Sequence, residues 1–149
     1  MDDLSRRSGG RKAKSVVFTA EQIATRVASL GREITAAYPG GDLLLLGLLK
    51  GSFIFLADLV RAVERPLQVD FLVASSYGSG TVSSGNVRLL YDPATDLAGK
   101  HIVVVEDIID SGRTLTRLVE LLRARHPASL AICTLLDKQI GRASCRERV

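Results

Sequence analysis

Val103-Val104-Val105-Glu106-Asp107-Ile108-Ile109-Asp110-Ser111-Gly112-Arg113-Thr114-Leu115 joins a short apolar run, three carboxylates and a glycine turn to the start of a helical pattern. His101 to Val105 reads as a buried strand, because short continuous Val/Ile runs suit a parallel strand covered on both faces. Two adjacent carboxylates, Glu106 and Asp107, cut the run off, and Asp110 follows three residues later. From Arg113 the apolar positions Leu115, Leu118, Val119, Leu121 and Leu122 take helical spacing. The turn Asp110–Thr114 is therefore expected where a strand's carboxyl end meets a helix's amino end, the place where open α/β sheets bind ligands. Backbone N–H groups and the helix dipole suit a phosphate there. Glu106 and Asp107, on the rim of the same crevice, could accept hydrogen bonds from sugar hydroxyls or hold Mg²⁺ through water. One carboxylate in such a place would ordinarily end a strand or cap a helix. Three around a glycine turn point to a phosphosugar site.

Outward from this stretch, strands and helices alternate. Asp42–Leu49 is a second buried apolar run, ending in Leu48-Leu49-Lys50-Gly51-Ser52 before a helical pattern from Phe53 to Val63. Leu67, Val69, Phe71 and Val73 alternate with Gln68, Asp70, Leu72 and Ala74, which predicts a strand. Ser75 to Asn86 then offers almost no apolar anchor. Loops of that length without structure of their own are often active-site covers, so a lid is expected, with Val87–Leu90 returning as its second strand. A helix is expected over residues 113–125 and a strand over Ser129–Leu136, closing on Asp137-Lys138. Near the start, Thr19 and Gln22 are spaced as a capping box, with Phe18 and Ile23 as its hydrophobic staple. Ile23, Val27, Leu30 and Ile34 mark one face of the helix that follows, which should end near Tyr38-Pro39-Gly40-Gly41. Such alternation predicts an α/β fold, a mostly parallel sheet flanked by helices.

The chain has 149 residues, the size of one domain, with 46% hydrophobic and 24% charged residues, as in ordinary globular proteins. Its net charge of +4 belongs to the ends. Residues 1–15 carry five basic and two acidic side chains, and residues 141–149 carry three and one; residues 16–140 hold 12 against 13, a net −1. That body argues against a nucleic-acid-binding face. Cys133 and Cys145 form neither a disulfide framework nor a metal-ligand spacing, and Cys133 fits an apolar strand as a reduced core residue. No apolar run is long enough to span a membrane. Residues 1–15 lack the apolar core of a secretory signal and read as a disordered basic arm, so a cytoplasmic protein is expected.

The wording Glu106-Asp107-Ile108-Ile109-Asp110-Ser111-Gly112-Arg113-Thr114 resembles the phosphoribosyl-pyrophosphate (PRPP) signature of the type I phosphoribosyltransferases, and is similar to their hypoxanthine-guanine branch in particular. The resemblance implies transfer of a 5-phosphoribosyl group from PRPP to a 6-oxopurine, with Mg²⁺ as cofactor. It implies Asp110 as general acid/base, and Glu106 and Asp107 on the ribose hydroxyls and the metal. Ser111, Gly112, Arg113 and Thr114 would take the 5′-phosphate, and Lys50 and Gly51 the pyrophosphate, with Leu49–Lys50 as a cis peptide. Ser76-Tyr77 matches the start of the family's mobile loop, and Lys138 the lysine that reads the purine's exocyclic oxygen. A homo-oligomer is implied for the full-length protein.

The likeness covers roughly residues 16–138. Arg113 stands where the family often has Lys. Beyond Lys138 the family continues with a strand bearing an aromatic that stacks on the purine, and then an aspartate near a second metal. Residues 139–149 show no strand or helix period and are expected to be a non-native tail after a truncation, which would leave the base pocket short of one wall, with a genuine divergent end as the alternative. Two other readings therefore stand beside the enzyme: a catalytically impaired PRPP- or nucleotide-binding fragment, and an RNA-binding regulator on the same fold.

Overall fold

The computed structural model describes residues 9, 15–77, 86–109, 112–138 and 142–146. Helix α1 (Ala20–Ala37) leads into β1 (Leu43–Leu48), α2 (Phe53–Ala62), β2 (Gln68–Tyr77) and β3 (Asn86–Tyr91). Strand β4 (His101–Ile109), α3 (Arg113–Arg123), β5 (Ser129–Asp137) and β6 (Arg142–Arg146) complete the order among the described residues. The six strands form one sheet ordered β3-β2-β1-β4-β5-β6. The middle four, β2-β1-β4-β5, are parallel, and β3 and β6 run antiparallel along the two edges.

Apolar side chains of the central strands divide between two cores. Leu43, Leu45, Val103 and Val105 face α1 and α2, where Val27, Leu30, Ile34, Phe55, Leu56 and Leu59 are buried. Leu44, Leu46, Ile102 and Val104 face the other way, against Leu115, Leu118 and Leu122 of α3 and against Leu97. Because both faces are covered, the strands are continuous apolar runs rather than alternating ones. The expected fold class is therefore the observed one.

The elements differ from the sequence expectations in extent. Strand β4 does not stop at the carboxylates but continues to Ile109, pairing Glu106 with Thr134 and Ile109 with Asp137. Strand β2 likewise runs on through Ser75, Ser76 and Tyr77, opposite Arg88, Val87 and Asn86, so the hairpin takes both ends of the expected loop. Residues 78–85, the rest of that loop, lie outside the described residues. Residues 139–149 were expected to hold no strand, yet Arg142–Arg146 pairs antiparallel with β5. In each case a neighbour's unpaired N–H and C=O groups recruit backbone whatever side chains it carries.

Helix α1 opens on the capping box expected of it. The Gln22 amide donates to Thr19 Oγ1 at 3.1 Å, and the Thr19 amide donates to Gln22 Oε1 at 2.8 Å. The apolar face begins one turn later than expected: Val27, Leu30 and Ile34 are buried, but Ile23 is 37% exposed and its staple partner Phe18 40%.

Candidate active site

The carboxyl ends of the parallel strands gather the candidate residues. Glu106 and Asp107 stand half-buried near the end of β4. The Asp107 amide donates to Glu106 Oε1 at 3.1 Å, and the Ile108 amide donates to Asp107 Oδ1 at 2.9 Å. Burial pushes the Glu106 carboxyl up to about 8; the Asp107 side chain adds to this by hydrogen bonding and by charge, while the Asp107 amide opposes it. Two vicinal acids, one of them inclined to keep a proton, are poised to receive a cation or hydroxyl donors.

The neighbouring strand brings the second element. β1 ends in the turn Leu49–Ser52, and the Leu49–Lys50 peptide is cis, as the resemblance implies. Gly51 faces Asp107 so closely that a Cβ on it would lie 2.9 Å from Asp107 Oδ1 and 3.1 Å from Oδ2. Ser52, fully buried, donates its hydroxyl to the Leu48 carbonyl at 2.7 Å. The Leu49 amide bonds the Leu72 carbonyl of β2 at 2.9 Å. The Lys50 side chain is exposed.

On the other side of β4, the Lys138 amide donates to the Ile109 carbonyl at 3.0 Å, so the residue after β5 is tied to the end of the carboxylate strand. Its side chain is exposed, and the preceding Asp137 is buried. Asp110 and Ser111 lie outside the described residues. Gly112 opens α3 with φ +74°, a left-handed conformation that favours glycine and lets the chain turn sharply from strand to helix. Thr116 seals the first turn, its amide and its hydroxyl each donating to the Gly112 carbonyl at 2.9 Å. Arg113 and Thr114 thus occupy the first helical turn, at the positive end of the helix dipole. Ser76 and Tyr77 lie on β2, further along the carboxyl edge.

The described residues contain no cluster of three or more His, Cys, Asp or Glu able to cage a metal. The Glu106–Asp107 pair fits a different kind of site. Mg²⁺ keeps several waters and is held by one or two carboxylates plus substrate phosphates. Sequence reasoning passed over Ser52, whose only signal was a serine at the start of a helix. It also passed over Thr134, buried and donating its hydroxyl to the Leu136 carbonyl at 2.9 Å. No described helix is long and apolar enough to cross a membrane.

Comparison with known proteins agrees with this geometry. The family model described as "Phosphoribosyl transferase domain" matches residues 15–147. The hypoxanthine-guanine phosphoribosyltransferase of Mycobacterium avium is 51% identical over 137 residues, which make up 88% of this chain and 68% of the relative. The hypoxanthine phosphoribosyltransferase of Escherichia coli strain K12 is 52% identical over 125 residues, covering 83% and 70%. Among solved structures, a hypoxanthine phosphoribosyltransferase from Staphylococcus aureus superposes with a TM-score of 0.86 at 36% identity, covering 99% of this chain and 78% of that one.

Proposed function

The chain belongs to the phosphoribosyltransferase family, in its hypoxanthine(-guanine) branch, and on that premise we propose how its residues divide the work. It is a purine-salvage transferase, and the proposed reaction moves a 5-phosphoribosyl group from PRPP to N9 of hypoxanthine or guanine. The bond from C1′ to the pyrophosphate oxygen breaks and the C1′–N9 bond forms. IMP or GMP and pyrophosphate are released.

Glu106 and Asp107 hold the ribose hydroxyls, and the Asp107 charge favours the positive sugar carbon that develops as pyrophosphate leaves. Asp110 exchanges the purine proton as general acid/base. Ser111, Gly112, Arg113 and Thr114 bind the 5′-phosphate at the helix start. Lys50 and Gly51 receive pyrophosphate, and Lys138 reads the 6-oxo group. Ser76 and Tyr77 begin a cover that keeps water from the reacting carbon. Glu106 and Asp107 would be the residues to hold Mg²⁺ through water, and the ion would supply positive charge to offset that of pyrophosphate.

The convergence of three strand ends carries this reading: Gly51 after β1 abuts Asp107 on β4, and Lys138 after β5 is bonded to Ile109. The RNA-regulator and fragment readings have no comparable support. The charged substrates support a cytoplasmic place of action. Phe53 and Ile54, 54% and 60% exposed beside the Lys50–Gly51 turn, support a homo-oligomer built on the start of α2. Incubation with PRPP, Mg²⁺ and hypoxanthine, followed by chromatography, tests the reaction. IMP and pyrophosphate in equal amounts are expected, and no nucleotide under any magnesium concentration would refute it.

A further inference from the structure

Gly51, in the turn after β1, lies against Asp107 on the neighbouring strand β4 with no room between them for a methyl group. A Cβ on Gly51 would meet Asp107 Oδ1 at 2.9 Å, Oδ2 at 3.1 Å and Cγ at 3.2 Å, all atoms of one carboxyl group. A non-bonded carbon lies comfortably only at about 3.5–4.0 Å from a heavy atom, so something would have to give. The Gly51 side is braced: the buried Ser52 hydroxyl holds the Leu48 carbonyl at 2.7 Å, and the Leu49 amide holds the Leu72 carbonyl at 2.9 Å. The Asp107 side is a carboxyl group that turns about its own side-chain bonds, held in place by the Ile108 amide at 2.9 Å. Any side chain at position 51 therefore displaces the carboxylate before it displaces the backbone.

We propose that Gly51 is a positioning residue for Asp107: the absent Cβ is the space that lets the carboxylate lie against the pyrophosphate-side loop, so that loop and acid present a single surface to the substrate. This deepens the proposed function and rests on it for the identity of the substrate; the contact itself does not. At Gly40 a Cβ would meet nothing within 4 Å, so Gly40→Ala serves as the control.

Gly51→Ala should raise the KM for PRPP and the half-saturating magnesium concentration by about 10-fold, the scale of a small misplacement of a positioned group. The KM for hypoxanthine should change by less than about twofold, and Gly40→Ala should leave all three constants unchanged. Equal change in both substrates' KM values would overturn the proposal. A metal-free thermal cycle reads the contact without activity: Gly51→Ala should lower Tm in the parent, and do so much less in an Asp107→Ala background. Additive losses would overturn the proposal even in an active enzyme. Absence of transfer in the parent would refute the functional reading alone, since the cycle still decides the contact.

Discussion

Replacing Ser52 with alanine separates the stability of the Leu49–Ser52 turn from its chemistry. Ser52 is fully buried, and its hydroxyl gives the Leu48 carbonyl its short bond of 2.7 Å. The Ser52 amide also reaches that carbonyl, but only at 3.4 Å. Alanine removes the short bond and leaves the half-buried Leu48 carbonyl with the long one. A neutral hydrogen bond contributes about 1 kcal/mol, and an under-satisfied half-buried acceptor adds to the loss, so the change should cost about 2 kcal/mol. For a chain of this size that lowers Tm by about 4–8 °C. Urea unfolding should show a lower midpoint with an unchanged slope. In steady-state kinetics the KM for PRPP should rise several-fold while the KM for hypoxanthine stays put, because the turn lies on the pyrophosphate side. A loss below about 0.5 kcal/mol would show that the hydroxyl is not what satisfies Leu48. A matching rise in both KM values would refute the assignment of the turn to pyrophosphate.

Three further outcomes are expected. Glu106→Gln should cut kcat/KM for PRPP by about 100-fold or more, as loss of a preorganised hydrogen-bond acceptor for the ribose hydroxyls does, without lowering Tm, since the amide resembles the protonated acid that burial favours in the free protein; a fall in both would assign Glu106 to structure, as steady-state kinetics and a thermal melt will read. Gly31→Ala should destabilise by about 1–3 kcal/mol despite the better helix propensity of alanine, because its Cβ would sit 2.3 Å from the Ala62 carbonyl oxygen of α2; a rise in Tm would contradict the packing. Asp70 accepts from the Phe71 amide at 2.7 Å and from the Thr95 amide and hydroxyl at 2.8 and 2.6 Å. Burial raises its pKa, but these bonds outweigh burial and hold the carboxyl below its ordinary 3.8. Asp70 therefore stabilises the fold above pH 3.8, and that contribution is lost as pH falls through its lowered value. The difference in urea midpoint between the parent and Asp70→Asn should be present at pH 7 and shrink in acid, and a difference that persists or grows would contradict the bonds.

Those elements whose side chains alone specify them were legible in the sequence. Leu43–Leu46 and Ile102–Val105 are buried on both sides of a parallel sheet, so every residue is apolar and the run announces itself. The capping box Thr19–Gln22 is equally local. Strand ends were not legible, because a neighbour fixes them: Glu106 and Ile109 belong to β4 only because Thr134 and Asp137 lie beside them. Ile23 followed helical spacing, but among the described residues no element covers that turn of α1, and it stays exposed. At the site, the place of Glu106 and Asp107 and the glycine turn at Gly112 could be read from their spacing. The close approach of Gly51 to Asp107 could not, since it depends on the order in which β1 and β4 lie in the sheet. Lys50 and Lys138 drew their meaning from family resemblance, as lone lysines at strand ends carry little by themselves.

A crystal structure of the protein with IMP would decide whether these residues form one nucleotide site. The 5′-phosphate should lie against the backbone of residues 111–114, the ribose hydroxyls on Glu106 and Asp107, and the purine's 6-oxo group within reach of Lys138. A nucleotide bound elsewhere, or a ribose that leaves both carboxylates untouched, would contradict it.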